Sequence, residues 1–210
     1  MSLQTTTTRD ALVAEIRRQI LSGELRPGDS LAESVLAGRF GVARPTVRSA
    51  LQVLASRNLA QHAGGRSLVV PALTLADVLD LFFVRAPLEL EAVRVIVERD
   101  LPLDRAEESL RALEGLPDDA SWGERVEAHT AFHVALVDAA GSPRLSRVYP
   151  PLQEEMQLCL AQLRASYPGP QDLARQHSAL FEAVGSGDLH RAQAEMRDHL
   201  ERAVRDFSEA

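Results

Sequence analysis

Lysine is missing from this sequence altogether: all 23 basic residues among its 210 are arginine, set against 30 acids. Cysteine occurs once, at Cys159. A single cysteine excludes a disulfide framework within the chain and fits a reducing compartment. No apolar run is long enough to cross a bilayer, and no stretch reads as a signal peptide, so a cytoplasmic protein with no membrane partner is expected. No internal repeat or low-complexity segment stands out. The H-E-x-x-H pattern of zinc proteases is also absent. Thr130, Ala131 and Phe132 stand between His129 and His133, so the general base of that motif is missing.

The net charge of −7 argues against a nucleic-acid binder when the chain is taken whole. Its distribution argues otherwise. Residues 1–72 hold nine Arg and five acids, an excess of +4, whereas residues 73–210 hold 14 Arg and 25 acids, an excess of −11. A basic first third and an acidic remainder suggest two domains with different partners, drawn here at 9–72 and 73–210.

In the basic third, Val47, Ala50, Leu51 and Leu54 fall at i, i+3, i+4 and i+7 and form one apolar helical face. The opposite side carries Arg44, Thr46, Arg48, Ser49 and Gln52. Arg44 and Arg48 are four apart and project together. Such a helix can enter a major groove, where arginine reads guanine O6 and N7. The alternative is an ordinary surface helix of an all-helical protein. Upstream, residues 10–21 predict a first helix. Ser30 and Glu33 make an S-x-x-E capping box for a short second helix over 31–40, followed by Gly41. The third helix spans about 43–57, with Ala43 at an N-cap position where it offers no side-chain oxygen. Two short strands, 59–62 and 67–70, flank a Gly-rich tip and predict a hairpin. His62 and Arg66 at that tip are candidates for a minor-groove or phosphate contact. Three helices and a two-stranded ribbon make a winged helix-turn-helix.

From residue 73 onward only helices are expected: about 75–99 with a break near Pro87, 104–114, 121–140, 143–166 kinked at Pro150-Pro151, 171–186 and 189–208. The fold class is therefore mainly α, an N-terminal winged helix-turn-helix followed by an all-α bundle. His129 and His133 share a face of one helix. His177 and His199 flank the turn at 185–188 symmetrically, so an antiparallel pair brings them to one level. Any one of these histidines alone reads as a core residue. Four at compatible levels can hold a metal inside a bundle. His190, beside the turn, reads as solvated.

The order Ile20-x-x-Gly23-x-Leu25-x-Pro27-Gly28, Leu31-x-Glu33 and Gly41-Val42-x-Arg44-x-x-Val47-Arg48-x-Ala50-Leu51 resembles the DNA-binding domain of GntR-type bacterial transcriptional regulators. The resemblance implies that Arg44, Thr46 and Arg48 contact a palindromic operator in a homodimer. It places Glu33 and Ser34 near the DNA backbone and Gly64, Gly65 and Arg66 in the wing. Ala43 departs from the usual Ser or Thr, and Ser34 from a basic residue found in some relatives. Phe132-His133, Ala139-Ala140-Gly141-Ser142, Gln176-His177 and Met196-x-x-His199-Leu200 resemble the ligand-sensing FCD domain of the FadR-type branch. This implies a divalent metal held by His133, His177 and His199, with His129 standing where that family has Asp. An all-nitrogen set favours Zn²⁺ or Ni²⁺. Arg85 and Glu89 resemble the family's R-x-x-x-E pair. Arg85 is then a candidate contact for a small carboxylate effector, or else part of a surface or interdomain salt bridge. A metal-sensing repressor, or a metal-dependent hydrolase, are the other functions considered.

Overall fold

The computed structural model describes residues 7–65, 67–162 and 170–208. The chain divides into two compact units, residues 1–73 and 74–210.

The first unit begins with α1 (Thr8–Leu21), whose N-cap Thr7 accepts a hydrogen bond from the Asp10 amide. Its apolar stripe, Leu12, Val13, Ile16 and Ile20, is buried. α2 (Glu33–Phe40) ends on Gly41, whose φ of 64° is the left-handed conformation that glycine adopts without a Cβ penalty. α3 (Arg44–Ser56) starts from Ala43, which supplies no side-chain cap, with Pro45 in the first turn where its missing N–H costs little. Val47, Ala50, Leu51 and Leu54 are all buried, at about 1.5–3 kcal/mol for each large side chain. The antiparallel wing, β1 (Gln61–His62) and β2 (Leu68–Val69), is shorter than its sequence pattern suggests. Leu59, Ala60 and Val70 leave the ribbon to join the core. Arg66 lies outside the described residues.

One expectation fails here. Ser30 and Glu33 form no capping box: α2 starts after Ala32, which makes no side-chain cap bond. Ser30 pairs as an extended bridge with Val69, and the Leu31 amide donates to the Leu68 carbonyl. Pairing with the wing holds Ser30 too far upstream to cap α2, and Glu33 is left free for another partner.

The second unit comprises α4 (Leu75–Arg99), α5 (Asp104–Glu114), α6 (Trp122–Ala139), α7 (Leu145–Gln162), α8 (Pro170–Gly185) and α9 (Leu189–Ser208). Capping boxes start α4 (Thr74 with Asp77) and α6 (Ser121 with Glu124). α4 packs against α6, α7 and α9, and α8 and α9 form an antiparallel hairpin through Gly187, with φ of 74°. The expected break at Pro87 does not occur: α4 runs through it. Pro87 and Phe83, whose carbonyl loses its helical donor, are both on the exposed side, where water can satisfy that group. α7 is a single helix that contains Pro150 and Pro151, as its sequence pattern predicts. The last residues of the expected 143–166 helix lie outside the described range. Among the described residues no helix is long and apolar enough to cross a membrane.

Candidate metal centre and nucleic-acid interface

The i, i+4 spacing on α6 puts His129 and His133 on its inward face, and the α8–α9 hairpin brings His177 and His199 to the same level. All four are buried, and one ring nitrogen from each lies within 4.8 Å of the others. The ring centroids of His177 and His199 are 4.8 Å apart, as the symmetric placement about the turn requires.

The hydrogen bonds behind the rings decide the chemistry in front of them. His133 Nδ1 donates to Glu89 Oε2 at 3.2 Å. His177 Nδ1 donates to the Leu173 carbonyl at 2.6 Å. Neither acceptor can give a proton, so in each neutral ring Nδ1 carries the hydrogen and Nε2 is bare. These two bare nitrogens face each other at 3.1 Å, and His199 Nε2 lies 3.2 Å from that of His133. Two lone pairs at such a distance cannot hydrogen-bond; a cation between them removes the conflict. Zn–N bonds of about 2.0–2.1 Å put neighbouring tetrahedral nitrogens about 3.3 Å apart, close to the separations of His133 Nε2 from the other two, 3.1 and 3.2 Å. His129 Nδ1 and His199 Nδ1 are buried without a partner. The donor set therefore fits a divalent transition metal.

Glu89 keeps its proton off despite full burial. Burial pushes its carboxyl up, but Arg85, then His133 and Tyr149, outweigh it and hold the group at about 2. Arg85 donates through Nε to Glu89 Oε1 at 2.9 Å, and its Nη2 lies 2.7 Å from the same oxygen as an ion pair. Arg85 is thus neither a surface nor an interdomain bridge, but half of a buried ion pair behind the histidine cluster. Tyr149 bonds both partners and accepts from Gln153 Nε2. The sequence signals Glu89 through its spacing from Arg85. Tyr149 and Gln153 carry no such signal, because they come from α7 and no motif links them to α4. A cavity of about 10 Å³ borders the cluster, lined among others by Arg85, His129, His177, His199 and Phe82. It has room for roughly one water molecule.

In the first unit, Arg44 and Arg48 stand exposed on α3, with Thr46 half-buried between them. Glu33, at the start of α2, accepts Arg48 Nε and Nη2 at 2.7 Å each and lies 4.0 Å from Arg44 Nη2. That contact holds the Glu33 carboxyl below its usual range. Ser34, His62 and Gly65 are exposed, and Gly65 has a φ of 145° open only to glycine.

The sequence pattern of the bacterial regulatory proteins of the gntR family matches residues 8–70, and that of the FCD domain matches residues 80–202. The chain belongs to the GntR family, with an FCD domain. As a GntR regulator it is a transcription factor that binds operator DNA, and its family is not one of enzymes. Among curated GntR-type relatives, the transcriptional regulator Mce2R of Mycobacterium tuberculosis is 30% identical, covering 97% of this chain and 94% of its own. LutR of Bacillus subtilis is 28% identical, covering 86% and 92%. A GntR regulator from Rhodococcus sp. RHA1 has the same fold, with a TM-score of 0.80 at 24% identity over 96% of this chain and 98% of that one. E. coli McbR/YncC has a TM-score of 0.75 at 21% identity over 98% and 99%.

The buried histidines make stability depend on pH when no metal is bound. Burial, then the neighbouring rings, holds His129 and His199 well below the ordinary range and His177 at about 3. Burial also lowers His133, against the pull of Glu89. Above about 6.5 both folded and unfolded rings are neutral; below it the unfolded chain takes up protons that the folded chain refuses. Stability is therefore complete above that value and declines as pH falls toward 3, by up to about 1.4 kcal/mol per pH unit for each ring. Chelator-treated protein should show a steep fall in melting temperature between pH 7.5 and 5, made shallower by His177→Gln. A melting temperature constant over that interval would contradict it.

Proposed function

We propose that this GntR regulator is a homodimer that reads a palindromic operator through Arg44, Thr46 and Arg48. In the same reading its FCD domain holds one Zn²⁺ or Ni²⁺ through His133, His177 and His199, with His129 either a fourth ligand or close beside the ligands, so that a position stays open to water or a carboxylate. The observation that carries the metal half is the meeting of bare Nε2 atoms at 3.1 Å, fixed by the bonds behind each ring. An all-imidazole set suits these metals and leaves the site without a carboxylate ligand. An ion held there would supply a Lewis acid for a carboxylate oxygen. Arg85, on the wall of the same cavity, adds a guanidinium to attract the effector's charge.

At about 10 Å³ the cavity takes an ion or a water but no organic acid, so an effector enters only by parting the helices that line it. That movement supplies the differential binding between two conformations that regulation of DNA affinity requires. The same small volume favours a second reading, in which the metal itself is the signal. The two separate on whether operator affinity changes when metal alone is added or only when a carboxylate follows. Dimerisation is supported by the apolar row Leu75, Leu79 and Phe83 on α4, where Phe83 is 79% exposed. Gly65 and His62, with Ser34, are the remaining candidates for backbone contact; Arg66 joins them on sequence alone.

The DNA half is tested on a duplex enriched from a random-sequence library by the unsubstituted protein. Two protomers should bind each duplex in sedimentation equilibrium. Arg44→Ala and Arg48→Ala should each weaken that complex, by about 1–3 kcal/mol where the side chain reads a base, while the melting temperature stays put. Undiminished binding by both variants at fixed salt would refute the assignment.

For the metal half, elemental analysis should find one Zn²⁺ or Ni²⁺ per protomer after incubation and dialysis. His177→Ala should lose the ion and melt lower, because an ion held only by the folded chain stabilises it by linkage. His190→Ala should do neither, since that side chain is exposed on α9 away from the cluster. An unsubstituted protein that remains metal-free after incubation would show that the four histidines are core residues only.

A further inference from the structure

Glu33 carries a role that follows from its geometry rather than from any contact with DNA. It is the first residue of α2, and its carboxylate reaches across to α3 to take Arg48 in a two-point clasp, through Nε and Nη2 at 2.7 Å each. The other acids of this unit are engaged elsewhere: Asp10 with Arg9, Glu15 and Glu24 with Arg18, and Asp29 with the Arg26 amide. Glu33 thus places a carboxylate at the arginines of the recognition helix, sheltered to 27% side-chain exposure while Arg48 stands 57% exposed.

A guanidinium has five N–H donors in a fixed fork. Glu33 takes one on Nε and one on Nη2. Three remain, and the Nη1 and Nη2 hydrogens on the outward edge form a parallel pair. A parallel pair of donors is what guanine O6 and N7 accept. We infer that Glu33 is a positioning residue for sequence discrimination: it presets Arg48 with its outward edge ready for a guanine and withholds it from phosphate.

Two consequences follow, and they have opposite signs. Presetting the side chain lowers the rotamer freedom lost on docking, which favours the cognate base pair. A carboxylate beside the DNA surface also repels phosphates, which disfavours every sequence alike. Glu33 therefore raises the ratio of specific to non-specific affinity while lowering non-specific affinity. A backbone-contacting or purely structural Glu33 would change both affinities together.

This rests on Arg48 reading a base, so the test includes Arg48 itself. The probes are the library-enriched duplex and a scrambled duplex of equal length and composition, at several salt concentrations. Glu33→Gln should lower the ratio of the two affinities about tenfold, with binding to the scrambled duplex unchanged or tighter and a salt slope steeper by about one charge as Arg48 turns to phosphate. Glu33→Asp keeps the charge at the start of α2, and so the fold, but is one methylene too short for the clasp; it should lower the ratio as well. In an Arg48→Ala background, Glu33→Gln should leave the ratio where Arg48→Ala put it. An unchanged ratio in Glu33→Gln and Glu33→Asp, or equal losses on both duplexes, would overturn the inference while Arg48→Ala still loses discrimination. An Arg48→Ala protein that discriminates normally would overturn the base-reading role and the positioning role together.

Discussion

The bond from His133 Nδ1 to Glu89 is the constraint on which the second unit turns. It requires an ionised carboxylate in the middle of a helical bundle, and that carboxylate requires Arg85. Burying such a pair is expensive, and a well-packed apolar pair of equal volume is often as stable. The chain pairs them all the same on one face of α4, and Tyr149 satisfies part of what remains. What the arrangement secures is direction. With Nδ1 committed to Glu89, His133 has a single bare nitrogen, and it faces the bundle centre. His177 reaches the same condition more simply, through the carbonyl one helical turn before it.

The backbone elements around this chain of contacts serve to bring the rings to one level. The capping box at Ser121 and Glu124 fixes where α6 starts, and so the rotation of His129 and His133. Gly187 allows α8 and α9 to reverse tightly enough that His177 and His199 meet. The first unit uses a related device at its surface. There Glu33 orients Arg48 as Glu89 orients His133, an acid in each case fixing which nitrogens of a partner remain available. The difference is burial: the exposed pair is screened and adjustable, the buried one is rigid.

Much of this was legible in the sequence. The apolar face of α3, the left-handed Gly41 and the two histidine pairs follow from period and turn chemistry, and each is found. So is the helical class of the second unit. Pro87 misled because the ordinary effect of proline assumes no substitute for the lost hydrogen bond; there the orphaned carbonyl faces solvent and α4 continues. Ser30 misled because the capping-box spacing ignores tertiary pairing, and the wing claimed its backbone first. Glu33 was legible as a residue of the interface but not as the holder of Arg48, since the two are fifteen positions apart on different helices. Tyr149 and Gln153 were invisible for the same reason, and no short-range pattern marks a side chain that meets its partners across a bundle. The cavity's small volume is likewise a property of packing alone.

The tautomers of the histidines can be read directly. In protein labelled with nitrogen-15 and freed of metal by chelation, long-range proton–nitrogen spectra at pH 7.5 distinguish a protonated from a bare ring nitrogen. His133 and His177 should both carry their proton on Nδ1, with Nε2 bare, and both Nε2 signals should shift on addition of Zn²⁺. A proton on Nε2 of either ring in the metal-free protein, or Nε2 signals indifferent to Zn²⁺, would contradict the arrangement from which the metal site is argued.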